Sequence, residues 1–201
     1  MGIDKSGVAA NPVRVAVLVS GGGTNLQALL DQDLSPGKIS IVISSSSKAY
    51  ALERARKASV PTAVCRGKDY EKQMADLLKE HRIDLVVLAG YLKILTADFL
   101  DTIGIPVINV HPALLPKFGG KGYYGLRVHE AVLGSGDTLT GATVHYVNAV
   151  TDGGQIIRQK EVPVKPGDTP EILQRRVMEE AEWVILPQVT RELCQDIAKR
   201  R

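Results

Sequence analysis

Val13-Arg14-Val15-Ala16-Val17-Leu18-Val19-Ser20-Gly21-Gly22-Gly23-Thr24-Asn25-Leu26-Gln27-Ala28-Leu29-Leu30-Asp31 reads as a strand, a glycine loop and a helix in direct succession. Its first seven residues form a nearly continuous β-branched run, as expected of a parallel strand covered by helices on both faces. The residues from Leu26 onward have helical spacing. The glycines between them let the backbone turn sharply and let a ligand approach the amides closely, and Thr24 or Asn25 can cap the helix. Exposed amides at a helix start attract anions. Any α/β domain needs a tight first turn, so the loop alone does not establish a site, but it does restrict the ligand. Leu26 stands in place of the third glycine of a dinucleotide fingerprint, and Ser44-Ser45-Ser46-Ser47 stands where that fingerprint needs an acid for the ribose. No Gly-Lys-Ser/Thr follows, which excludes a Walker loop. A phosphate monoester remains the natural ligand.

The same alternation continues downstream. Residues 39–43 read as a second strand, 49–58 as a helix and 62–65 as a short strand. Met74, Leu77 and Leu78 give residues 69–81 an amphipathic helical pattern. Residues 84–89 form a buried strand that opens into Gly90-Tyr91-Leu92-Lys93-Ile94-Leu95, a largely apolar loop with one cation, before a short helix from about Thr96. A strand over 105–110 follows, then a short helix over 128–133, an alternating antiparallel or edge strand over 140–147 and a strand over 155–162. Helix candidates run from Pro170 onward, with Pro187 expected to kink or divide them. Elements of these lengths in this order specify an α/β fold, a mostly parallel open sheet with helices on both faces and an antiparallel strand late in the chain. One domain is expected over residues 13–201, after a loosely ordered tail over 1–12.

Ile108-Asn109-Val110-His111-Pro112-Ala113-Leu114-Leu115-Pro116 carries the chemistry. Residues i and i+2 of a strand share a face, so Asn109 and His111 project side by side. They stand at the carboxyl end of the strand, where open α/β sheets place their sites. The residue before a proline is kept out of the helical region, so His111 stays extended and Pro112 ends the ladder. Gly119, Gly120, Gly122 and Gly125 mark residues 117–125 as a mobile or substrate-shaped loop. His145, His129 and His81 read as packed or solvent-facing residues. Asp152, in Thr151-Asp152-Gly153-Gly154, is by itself an ordinary turn residue.

Composition narrows the function classes. A net charge of +3 with interspersed acids and bases, and few aromatics, shows no basic stripe for nucleic acid. Cys65 and Cys194 lie far apart, giving neither a disulfide framework nor a zinc spacing, and a reducing cytoplasm fits. No metal constellation appears, and no segment approaches the roughly 20 apolar residues of a membrane helix.

Ser20 to Asn25, Leu88 to Leu95, Ile108 to Pro116 and Asp152 to Gly154, in that order and spacing, closely resemble the phosphoribosylglycinamide formyltransferases of purine synthesis. The likeness runs from about Arg14 to Pro187. It implies a Rossmann-like formyltransferase fold and two small-molecule substrates, 10-formyltetrahydrofolate and 5-phosphoribosylglycinamide, for a monomer or homodimer. Residue by residue, it implies that Gly23, Thr24 and Asn25 hold the ribonucleotide phosphate, and that Leu92, Lys93, Ile94 and Leu95, together with Asn109, meet the folate. Leu92 and Lys93 stand where Met and Arg are common. Asn109, His111 and Asp152 match the catalytic trio. Glu182 matches the acid that contacts the glycinamide, although it lies one residue further from Val177 than the family pattern has it, and Trp183 replaces the usual His. A basic residue that helps bind folate falls at Lys68, with Arg66 the competing choice. A cis bond at Leu115-Pro116 is also implied.

In the reaction so implied, the substrate amine attacks the formyl carbon and negative charge develops on the formyl oxygen. A donor fixed where such charge develops is worth roughly 3 kcal/mol. Asn109 offers an amide N–H and His111 an imidazolium N–H. Asp152 is expected to keep His111 charged or to take the amine proton, since a nearby carboxylate raises an imidazole pKa. Rival readings are a formyltetrahydrofolate deformylase, which would carry an N-terminal regulatory domain, and a methionyl-tRNA formyltransferase, with an extra C-terminal domain and a basic surface. A third is a non-catalytic phosphate-binding α/β module, which would have no need for the trio to converge.

Overall fold

The computed structural model describes residues 12–201, so the tail expected over 1–12 lies, except for Pro12, outside the described residues. The described chain runs β1 (Val13–Val19), α1 (Thr24–Leu30), β2 (Gly37–Ser44), α2 (Ala51–Lys57), β3 (Thr62–Val64), α3 (Tyr70–Glu80), β4 (Leu85–Leu88), α4 (Ala97–Ile103), β5 (Val107–His111), α5 (Leu126–Ser135), β6 (Leu139–Tyr146), β7 (Ile156–Pro163), α6 (Pro170–Val177), a π turn (Met178–Glu182) and α7 (Trp183–Lys199). The strands form one seven-stranded sheet in the order β3-β2-β1-β4-β5-β6-β7. Pairs among β1 to β5 are parallel, while β5–β6 and β6–β7 are antiparallel.

The alternation of side chains along a strand explains why β1 and β4 read as continuous apolar runs. Val13, Val15, Val17 and Val19 belong to one core with Leu26, Leu29 and Leu186, whereas Ala16 and Leu18 belong to a second core with Met74 and Phe99 on the opposite face. Leu85 and Val87 divide from Val86 and Leu88 in the same way. Each fully buried aliphatic side chain contributes about 1.5–3 kcal/mol. These central strands therefore hold the frame from which the site projects.

Two local expectations are corrected. Gly23, in left-handed conformation (φ 74), occupies the cap position of α1 with no side-chain cap bond, so neither Thr24 nor Asn25 caps it. Pro187 does not divide the last helix in two, because α7 continues through it. The proline removes one donor from the ladder, and the departure from α geometry falls in the π turn just upstream. Peptide bonds are cis at Leu115-Pro116 and at Ser35-Pro36. Among the described residues no helix is long and apolar enough to cross a membrane.

The order of strands sets the order of loops. At the carboxyl edge, the loop after β4 lies between the glycine loop after β1 and His111 at the end of β5. Chain direction across the sheet diverges between β1 and β4, the topological switch point where such sheets open a crevice.

Candidate active site

Asn109 and His111 share a face of β5, and β6 runs antiparallel beside it with His145 opposite Asn109 and Thr143 opposite His111. His145 donates from Nδ1 to the Tyr146 carbonyl at 2.8 Å, since a carbonyl can only accept. Its Nε2 therefore presents a lone pair when the ring is neutral, and Asn109 Nδ2 donates to it at 3.2 Å. With His145 in that form, the Asn109 amide nitrogen faces β6 and its second N–H is left for another acceptor. Thr143 holds the turn that follows β5: its hydroxyl donates to the Ala113 carbonyl (2.6 Å) and accepts from the Leu115 N–H (3.0 Å) and Gln159 Nε2 (2.9 Å). One proton and two lone pairs are thus fully used, and the exit from His111 is pinned.

Asp152 arrives from the β6–β7 connection in left-handed conformation (φ 55), and a side chain at Gly154 would collide with the Tyr146 carbonyl. Its carboxylate lies 3.5 Å from His111 Nδ1 and 3.6 Å from His145 Nε2, so one carboxylate faces two imidazoles. The loop over 117–125 closes on the cluster through its backbone. The Phe118 carbonyl accepts from His111 Nε2 at 2.7 Å, and the Gly120 N–H donates to Asp152 Oδ2 at 2.9 Å.

The electrostatics correct the expectation of a charged His111. Its burial lowers the imidazole pKa below 6.5, outweighing the upward pull of Asp152 and of the Phe118 carbonyl, with His145 adding a further downward push. The ring is therefore neutral near pH 7, with its proton on Nε2. For Asp152, burial works to raise the pKa, but His145, His111 and the Gly120 N–H together hold it below the usual carboxylate value. His129 is fully buried with both ring nitrogens unpartnered, and burial followed by the field of His111 lowers its pKa to about 4. It is a packed neutral histidine.

The glycine loop stands across β4 from this cluster. A side chain at Gly23 would meet Ala51 Cβ at 2.5 Å, so its positive φ and its close approach to α2 both require glycine. The Ala51 N–H donates to the Gly21 carbonyl (3.1 Å) and Arg54 Nε to the Gly22 carbonyl (2.8 Å), tying both carbonyls to α2. The Thr24 hydroxyl lies 3.8 Å from the Met178 sulfur. Asn25 Nδ2 donates to Glu182 Oε2 at 2.5 Å, while Asn25 Oδ1 is buried without a partner. Burial raises the Glu182 pKa to about 7 against the lowering effect of Asn25. A π turn accommodates one residue more than an α turn. Such a turn fits the longer Val177-to-Glu182 spacing implied by the resemblance, and Glu182 at its end reaches Asn25.

The segment Leu92 to Leu95 divides by exposure. Leu92 and Ile94 are 66% and 60% exposed, Leu95 is buried, and Lys93 Nζ sits 3.8 Å over the Tyr70 ring. Lys68 and Arg66 are both exposed in the connection between β3 and α3, and neither makes an ion pair to another described residue. The structure therefore brings together Asn109, His111, Asp152 and His145 as one cluster, and Asn25 and Glu182 as another. Among the described residues, the side chains of Lys68 and Arg66 make no hydrogen bond or ion pair with either cluster. His145 was missed because the β5–β6 register decides its place, although its strand alternation with Thr143 was visible in the sequence.

A family model described as formyl transferase matches residues 13–190. Phosphoribosylglycinamide formyltransferase of Haemophilus influenzae is 41% identical over 185 residues, covering 88% of this chain and 84% of that one. The human trifunctional purine biosynthetic protein adenosine-3 is 44% identical over 183 residues, with 87% of this chain matching 18% of that longer protein. Among solved structures, glycinamide ribonucleotide transformylase 1 from Symbiobacterium toebii superposes with a TM-score of 0.84 at 38% identity, covering 94% of this chain and 90% of its own. With its mostly parallel sheet, glycine loop and Asn109-His111-Asp152 cluster, the chain belongs to the formyl transferase family, among the phosphoribosylglycinamide formyltransferases.

Proposed function

We propose that this enzyme transfers the formyl group of 10-formyltetrahydrofolate to the amine of 5-phosphoribosylglycinamide. The observation that carries this reading is the convergence of Asn109, His111 and Asp152 beside the β4 loop, with the Gly23 to Asn25 loop on that loop's other side. In this reading, Gly23, Thr24 and Asn25 take the phosphate. The unpartnered Asn25 oxygen and the Glu182 carboxyl supply acceptors for the glycinamide end. Exposed Leu92 and Ile94 offer apolar surface to the pterin, and Lys68 or Arg66 meets the folate's acidic tail. The two free, buried cysteines suit a reducing cytoplasm.

The geometry supports a definite division of labour. As the amine attacks, the second Asn109 N–H and the His111 Nε2–H donate to the developing oxyanion. His111 can do so once its Nε2–H leaves the Phe118 carbonyl, so the loop over 117–125 must yield. Neutral His111 then accepts the amine proton at Nδ1, directly or through water, and Asp152 stabilises the resulting imidazolium. As the carbon–N10 bond breaks, that proton goes to the leaving nitrogen. The test is an absorbance assay of formyl loss from 10-formyltetrahydrofolate with and without 5-phosphoribosylglycinamide. Amine-dependent loss is expected; loss at the same rate without the amine would instead mark a deformylase.

A further inference from the structure

Ser20, which precedes the glycine loop, also touches the pterin-facing loop. Its N–H donates to the Gly90 carbonyl at 3.1 Å, and its hydroxyl accepts from the Leu92 N–H at 2.9 Å. The same Oγ lies 2.7 Å from Ser45 Oγ, and the Ser45 N–H donates to the Val19 carbonyl at 3.1 Å. A hydroxyl has one proton and two lone pairs, so Leu92 takes one lone pair and the Ser45 contact fixes the rotor. At the far end, the β4 loop is tied elsewhere. The Thr96 N–H and hydroxyl donate to Glu71 at 2.8 and 2.7 Å, and the Tyr70 hydroxyl donates to the Ile94 carbonyl at 3.0 Å. The loop thus leaves its strand under the control of Ser20 and ends under the control of α3.

We propose that Ser20 is a positioning residue that couples the two substrate loops, so that filling the phosphate loop sets the shape the β4 loop presents to the folate. The proposal rests on the assignment of these loops to the two substrates. Phosphate bound against Gly23 fixes the backbone from Ser20 onward, and Ser20 transmits that position to Leu92 through its hydroxyl, which accepts from the Leu92 N–H. Coupling between two sites is reciprocal, so folate must tighten binding of the ribonucleotide by the same factor.

The test is calorimetric titration of the whole protein with tetrahydrofolate, which has no formyl group to transfer, with and without saturating 5-phosphoribosylglycinamide. Wild type is expected to bind tetrahydrofolate at least about fivefold tighter with the ribonucleotide present, within the usual range of site-to-site coupling. Ser20→Ala and Ser20→Cys should bring that ratio close to one, and Ser20→Thr, which keeps the hydroxyl, should restore it. Glu71→Gln, which loosens only the exit of the loop, should weaken folate binding in both states and leave the ratio unchanged. A wild-type ratio of one, or an unchanged ratio in Ser20→Ala or in a folded Ser20→Cys, overturns the coupling. Failure of wild type to bind either ligand overturns the loop assignment, and the coupling with it.

Discussion

Replacing Asp152 by Asn removes one charge from between two imidazoles while keeping the shape of the side chain. Its amide oxygen can still accept from the Gly120 N–H, so the loop keeps that anchor. The carboxylate stands 3.5 Å from His111 Nδ1. Unit charges at that separation interact by about 4–5 kcal/mol at an effective dielectric near 20. His111 is neutral before reaction, so nearly all of this attraction develops only as the imidazolium forms. It should therefore appear in kcat, as a loss of about a thousandfold, or roughly 4 kcal/mol. KM for 5-phosphoribosylglycinamide should stay within about threefold, because Asn25 and Glu182 form a separate pair on the other side of β4. Steady-state absorbance measurements at saturating folate give both constants. A kcat within tenfold of wild type would refute the argument that Asp152 stabilises a charged His111.

His145→Leu should lower kcat by about ten- to a hundredfold, because Asn109 loses the partner that orients its amide; Asn109 and His111 side-chain geometry in a crystal structure of the variant provides the structural check. Glu182 has its folded-state pKa raised from 4.5 to about 7, so the folded state holds a proton that the unfolded chain releases, and stability falls as pH rises through that window. Glu182→Gln removes this slope, so the variant's Tm should gain on wild type from pH 4.5 to about 7 and stay level above it. Asp168 behaves in the opposite sense. Both its oxygens accept from Arg176, at 2.5 and 2.6 Å, and the hydrogen bond from Arg176 lowers its pKa from 3.8 to about 2. Its contribution is present above 3.8 and is lost as pH falls towards 2. Asp168→Asn should cost roughly 2 kcal/mol at neutral pH by denaturant unfolding, and much less near pH 2.

The sheet was legible because β1 and β4 are buried on both faces, which leaves an unmistakable apolar run, and because Asn109 and His111 interrupt such a run at its end. The resemblance supplied Asp152; a turn residue with positive φ carries no sign of what its carboxylate reaches. His145 could not be read because antiparallel register is set by pairing, and a slip of one residue would have turned it away from Asn109. The closure of the cluster by the Phe118 carbonyl and the Gly120 amide is made by backbone groups, which have no residue signature. The charge of His111 was misjudged for a related reason. Sequence shows a neighbouring acid but not the degree of burial, and here burial wins. Pro187 suggested a break whose place in three dimensions is taken by the π turn before it, the same feature that reconciles the unusual spacing of Glu182 with its contact to Asn25.

The most direct test of the account follows the formyl group itself. Wild-type protein is supplied with isotopically labelled 10-formyltetrahydrofolate and 5-phosphoribosylglycinamide, and the label is located by mass spectrometry. The convergence of Asn109, His111 and Asp152 beside the β4 loop, with the glycine loop on that loop's other side, predicts that the label moves to the glycinamide nitrogen, with little released as formate. Label recovered chiefly as formate in the presence of the amine would contradict it.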